Sequence, residues 1–347
     1  MTKPKIGWIG LDAPVEILSA IGQAVRVDAT VQDDPGVAAA FAEGGGHPWM
    51  RAVAGRLVAG ADDLKYVVIG STPVTGVWLY NFMLTLKRGA EAPPLPAAEL
   101  VNLSHGQRAS AERFNRASLA RLAERLGAGE TAIRVAIAER NAVRAAQRRV
   151  ERLRYGPDRR LCGVVARQLL DAADQTPVED FLERVEHAIA GAGDGPVRDD
   201  LRAVIYSGPG SPSLALYAAL EAQGVCVVGE DADYGSRSIG PDVAVADDPI
   251  AALAHRYAHR TPAPAGWTTH ARVAWITEFV RERGVNAVLF DLPAWEHPSA
   301  WDFPAVRSAL ESLRVACIEL PWAPPSAQAE SVAQALDLAA ASRGAHG

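Results

Sequence analysis

The sequence predicts an α/β protein, with two parallel-sheet units of flavodoxin or Rossmann type and a helical segment between them. Short apolar runs of strand length alternate with helix-length amphipathic stretches at both ends of the chain, the pattern of parallel strands joined by right-handed helical crossovers. Between them, from Ala109 to Arg154, apolar residues recur every three or four positions, broken only near Gly127-Ala128-Gly129. The glycine-rich stretch Gly191 to Pro196 then reads as a linker. The expected units are residues 1–107, a helical segment and linker over 108–196, and a C-terminal unit over 197–347 with a four-stranded parallel sheet.

The first unit opens with a short strand over Lys5–Gly10, and Pro14 starts a helix from a first-turn position that tolerates proline. Lys65–Gly70 is a buried strand leading into a helix from Val77 to Leu86, and Leu100–Leu103 is another apolar run. In the middle segment, Gly129-Glu130-Thr131 starts the second long helix, whose end from Arg144 to Arg154 is rich in arginine. A phosphate-binding face and a solvated face with cations near the helix C-terminus both fit, and the solvated face is expected. In the C-terminal unit, strands are expected at 201–206, 225–228, 287–290 and 315–320, and helices near 211–223, 250–260, 269–283, 305–313 and 327–341.

Ligands of such sheets bind beyond the carboxyl ends of the strands. The unusual loops lie there, at Ser207–Ser211, Glu230–Arg237 and Asp291–Trp301. Ser207-Gly208-Pro209-Gly210-Ser211 is an anion-friendly turn with Ser211 as the expected N-cap, and lacks the Gly-Lys-Ser/Thr of a Walker loop. Ser207, Gly208, Ser211 and Arg237 are therefore substrate-binding candidates, with Arg237 suited either to a carboxylate or phosphate or to pairing with Asp231. His255, His259 and His270 are read as surface residues on or beside helices.

Composition narrows the function classes. The 347 residues are 49% hydrophobic with a net charge of −6, so neither disorder nor a global attraction to nucleic acid is expected. No run approaches ~20 apolar residues, and the N-terminus lacks the apolar core of a signal peptide, so a cytoplasmic protein without a membrane span is expected. The three cysteines, Cys162, Cys226 and Cys317, are scattered. The last two read as small hydrophobes within strands, and an all-cysteine [4Fe–4S] site within the chain is not expected.

The order of motifs resembles the iron–sulfur subunits of the 2-hydroxyacyl-CoA dehydratase and benzoyl-CoA reductase family. The similarity runs through Pro14–Gly22, Asn141–Arg144, Leu161-Cys162-Gly163, Tyr206–Pro209, Asp231–Arg237, Asp248-Pro249 with Arg256-Tyr257, and Trp301-Asp302-Phe303-Pro304. Gln328 falls in the region of the family's terminal glutamine–threonine–arginine motif, without its arginine. Where the family carries cysteine, this chain has His47, Ser71, Asp233 and Glu296. The resemblance implies that the ligands of a standard cluster are lost. No cofactor is then expected in this chain, and a [4Fe–4S] cluster is expected in a cysteine-bearing homologous partner. The implied function is a cluster-less subunit of a heterodimeric dehydratase or reductase of anaerobic metabolism, completing an acyl-CoA site. Two alternatives stay open. One is a stand-alone lyase or hydratase with Asp233 and Glu296 as catalytic acid and base, or with His47, Ser71, Asp233 and Glu296 as candidate positions for another metal. The other is a non-catalytic acyl-CoA-binding scaffold.

Overall fold

The computed structural model describes residues 3–29, 47–60, 62–72, 75–89, 93–106, 108–156, 160–192, 201–208, 210–261, 268–293 and 297–344. It divides into two compact units. The first comprises Met1–Ala146, Ala172–Leu182 and Ile239–Gly266, and the second Gln147–Asp171, Glu183–Ser238 and Trp267–Gly347. The helical residues between the two sheets are thus shared out between the units.

The first unit holds strands β1 (Lys5–Ile9), β2 (Gln23–Arg26), β3 (Leu64–Gly70) and β4 (Ala97–Val101) in the all-parallel order β2-β1-β3-β4. Its helices include α1 (Val15–Ile21), α2 (Pro48–Val58), α3 (Thr75–Arg88) and α4 (Ala109–Leu126). α4 ends on Gly127 in the left-handed region, φ 72°, the usual glycine stop. Beyond it, α5 (Glu130–Tyr155) runs from the first unit into the second. β2 and α2 are additions to the sequence reading: β2 is an edge strand of only four residues, too short to display a period.

Part of the buried centre of this unit is ionic. Glu16, fully buried on α1, accepts from Arg144 at 2.8 Å and from the Tyr257 hydroxyl at 3.0 Å. Tyr257 lies on α10 (Pro249–His259), and its hydroxyl also donates to the Ala13 carbonyl at 3.0 Å. Burial alone would raise the Glu16 pKa, but the charges of Arg144 and Arg256 override it and bring it down to about 2. Three separate sequence motifs thus meet in one structural clasp.

The second unit repeats the topology with β5 (Leu201–Tyr206), β6 (Val225–Asp231), β7 (Ala287–Asp291) and β8 (Ala316–Leu320) in the order β6-β5-β7-β8, all parallel. Alternate strand residues face two apolar layers. Ile205, Val227 and Leu289 pack with α8 (Leu214–Ala222) and α13 (Gln328–Gly344), while Val204, Val228 and Val288 pack with α11 (Thr269–Arg283) and α12 (His297–Ser312). Coverage of both faces is why these strands read as unbroken apolar runs.

Four expectations are corrected. Ser213, not Ser211, caps α8, its hydroxyl accepting from the Leu216 amide at 3.1 Å. α12 starts at His297 and carries Pro304 inside it, rather than starting after that proline. β6 runs on to Asp231, so Glu230 and Asp231 are buried strand residues, not loop. The arginine-rich end of α5 is not simply a solvated face: Arg144 and Arg154 are buried and paired with carboxylates.

Candidate functional site at the carboxyl edges of the two sheets

In each unit the strand order reverses once, between β1 and β3 and between β5 and β7. The crevice beyond the carboxyl ends of those strands is where open α/β sheets take ligands.

In the second unit, Ser207 follows β5 and Asp291 ends β7. They meet across the reversal, the Ser207 hydroxyl 3.5 Å from an Asp291 carboxylate oxygen. Desolvation pushes the half-buried Asp291 carboxyl up to about 6, against the lowering effect of the Ser207 hydrogen bond. A carboxyl titrating near neutrality in a strand-end crevice is suited to moving a proton. Asp291 opens a loop singled out in the sequence, but nothing there distinguishes it from other acids. Its shift depends on tertiary burial.

Behind this pair lies a rigid frame. Arg272 of α11, fully buried, reaches Asp231 at 3.2 Å, the Ser299 hydroxyl at 2.9 Å and the Ser207 carbonyl at 3.2 Å. Its guanidinium stacks 4.1 Å from the Tyr206 ring centroid, and Asp302 lies 3.8 Å away. Arg237 of α9 (Ser236–Ile239) pairs with the other Asp231 oxygen and lies 4.2 Å over the Trp275 ring. Of the two roles open to Arg237 in the sequence, pairing with Asp231 is the one seen. Arg272, which no motif marked, joins the Tyr206–Gly208, Asp231–Arg237 and Trp301–Pro304 motifs.

Glu230 points to the opposite face, as a neighbouring strand residue must. It pairs with Arg154 at 2.7 Å and Arg167 at 3.4 Å. Arg167 also donates to the Tyr234 carbonyl at 3.1 Å and to Ser211 at 2.6 Å, so a cation backs the glycine–serine loop. Gly235 allows this closeness: its φ is +110°, and a Cβ there would meet Glu230 Oε1 at 2.2 Å. Gly208 follows Ser207 at the reversal, and Asp233 is buried in the same β6–α9 turn. Glu296 lies outside the described residues.

In the first unit, Asp12 follows β1 and is fully buried, and His105, after β4, places Nε2 2.7 Å from its Oδ1. Among the described residues, Asp12 Oδ2, His105 Nδ1 and Thr75 Oγ1 are buried without hydrogen-bond partners, an unusual state that suits a ligand or water site. Asp12 and His105 meet at the end of β3. A Cβ on Gly70 would touch Asp12 at 3.1 Å, and one on Gly76, at the start of α3, would meet the Gly70 carbonyl at 2.2 Å. Ser71 donates to Asn102 at 3.0 Å. The sequence reading missed Asp12 and His105; the available signal was an acid directly after a buried strand.

The side chains at the positions where the resemblance implies cysteine are not the thiolates that hold a standard iron–sulfur cluster. His47 caps α2, with Nδ1 accepting from the Trp49 amide at 3.2 Å. Ser71 is a neutral hydroxyl and Asp233 a hard carboxylate. Cys226 on β6 and Cys317 on β8 stand on opposite edges of their sheet, three strand spacings or about 14 Å apart. Burial pushes the Cys317 thiol up to about 11, away from the thiolate a metal needs. Among the described residues, no helix is long and apolar enough to cross a membrane.

A search of curated proteins returns no match. The family model described as "2-hydroxyglutaryl-CoA dehydratase, D-component" matches residues 11–333 of the 347. That span takes in every strand of the two sheets except β1, together with Asp12, His105 and the buried ion-pair clasps. The chain belongs to the 2-hydroxyglutaryl-CoA dehydratase D-component family.

Proposed function

We propose that this protein is a cluster-less component of a 2-hydroxyacyl-CoA dehydratase-type or benzoyl-CoA reductase-like assembly. A cysteine-bearing homologous partner holds the [4Fe–4S] cluster, and this chain completes the acyl-CoA site. One observation carries the reading: the family match spans residues 11–333, while the positions where the sequence resemblance implies cysteine hold His47, Ser71, Asp233 and Glu296. In this reading Ser207, Gly208 and Ser211 offer polar contacts to the acyl-CoA, with Arg167, paired to Glu230 and Asp171, holding Ser211 in place. The test is anaerobic purification of the chain alone and together with a cysteine-bearing homologue, with iron and sulfide assayed in both. Iron and sulfide are expected only in the joint preparation, migrating with both chains. A cluster in the isolated chain, or no association, would overturn the proposal.

A second reading, a stand-alone acid–base lyase, is favoured by Asp291, with its carboxyl near 6, and by the buried Asp12–His105 pair. It predicts turnover of a 2-hydroxyacyl-CoA by the isolated chain, lost in Asp291→Asn or His105→Ala.

A further inference from the structure

Two helices of the first unit bring together three metal-ligating side chains that take no part in the strand-end groups described above. His255 and His259 stand four residues apart on α10 and so share one helix face. Their ring centroids are 4.3 Å apart, tilted by 35°. Glu112, in the first turn of α4, sends one carboxylate oxygen between them, 3.3 Å from His255 Nδ1 and 2.8 Å from His259 Nε2. All three donor atoms lie within 4.8 Å of one another. In a tetrahedral zinc site with bonds near 2.0–2.1 Å, ligand atoms are about 3.3 Å apart, a geometry these side chains reach by small rotations.

We propose that Glu112, His255 and His259 form a binding site for a divalent transition metal of the zinc class, fastening α10 to α4. Two imidazolium rings this close would repel each other, whereas a divalent cation takes a lone pair from each neutral ring and the charge of the carboxylate. The backbone is already held for it. Asp248 caps α10, accepting from the Ala251 amide at 2.8 Å, and pairs with Arg116 of α4 at 2.8 Å. Arg116 is one helical turn beyond Glu112, so the two contacts pin opposite ends of α10 to an antiparallel neighbour. His255 is 64% exposed, which leaves the fourth position open to water. Two histidines and one carboxylate with an open position suit Zn²⁺, and imidazole also suits Ni²⁺ and Cu²⁺. The metal here has a structural role, fastening residues 249–259 to the first unit, and is independent of any cluster chemistry.

The experiment uses the untagged full-length chain after chelator dialysis. Zn²⁺ is titrated by calorimetry and Co²⁺ by visible absorption, and the melting temperature is recorded with and without Zn²⁺. About one equivalent is expected to bind, with d–d bands for Co²⁺ and a higher melting temperature. His255→Ala and His259→Ala are each expected to weaken binding about 100-fold or more. His270→Ala, at an exposed histidine on α11, is expected to bind as the parent does. Because His255 and His259 are surface side chains, their variants are expected to fold, checked by circular dichroism. No saturable binding by the parent chain, or binding unchanged in both variants, would overturn the proposal.

Discussion

At the residue scale, two carboxyls are driven in opposite directions. Glu16 sits between cationic groups and titrates near 2, against an ordinary value of 4.5. A depressed pKa gives stability that is complete above about pH 4.5 and is lost as pH falls toward 2. The contribution is on the order of 3 kcal/mol. Glu16→Gln is expected to flatten that acid limb in denaturant melts and to destabilise the protein at neutral pH, since Arg144 then loses its buried counter-charge. Asp291 has the reverse sign. Its carboxyl is raised from 3.8 to about 6, so its favourable contribution is present below pH 3.8 and lost as pH rises through 6. Asp291→Asn is therefore expected to raise the melting temperature at pH 7.5 and leave it nearly unchanged at pH 3.5. Carboxyl carbon chemical shifts should titrate with a midpoint near 6, and Ser207→Ala should move that midpoint higher by removing the hydrogen bond that favours the anion. An Asp291 midpoint below 4.5 would remove it as a candidate acid or base.

At the element scale, the helices are held to the sheets by close backbone approach and by buried arginines. Gly76→Ala would put a Cβ 2.2 Å from the Gly70 carbonyl, and backbone cannot rotate away. A loss of about 1–3 kcal/mol or more is expected in chemical denaturation, with α3 displaced from the end of β3. Arg154, fully buried on α5, donates to the Val227 carbonyl at 2.7 Å and pairs with Glu230 and Glu151. Burial opposes its charge, but the two carboxylates override this and raise its pKa. Arg154→Ala takes a buried counter-charge from both acids, leaving Glu230 with Arg167 and Glu151 with Arg283, at an expected cost of about 3 kcal/mol. Arg154→Met combined with Glu230→Gln should recover part of that loss, which a double-mutant cycle measures.

At the scale of the whole molecule, two sheets share one strand order and place polar groups at corresponding reversals. The second unit presents Ser207 and Asp291, and the first presents Asp12 and His105. The shared order explains why the site-bearing loops fall at strand ends in both units. If the protein is an assembly component, single substitutions at either reversal should lower turnover of the joint preparation while leaving co-purification intact. Loss of co-purification in Asp291→Asn would assign that residue to subunit association instead.

The sequence by itself determined the α/β class, the parallel strands and most helix positions, because burial on both faces writes continuous apolar runs and amphipathic helices carry their own period. It also identified the strand-end loops and the scarcity of thiols. It did not reveal the four-residue β2, and it placed the start of α12 after Pro304, because proline reads as a helix breaker while tertiary packing here retains it inside the helix. Glu230 and Asp231 read as loop acids because, Arg237 apart, their arginine partners lie far away in sequence, at 154, 167 and 272. The same holds for Asp12 with His105 and for Glu112 with the two histidines of α10. Local pattern fixes what each segment becomes. Which acid meets which cation, and which carboxyl loses its water, depends on contacts between residues distant along the chain, and only the tertiary structure decided those.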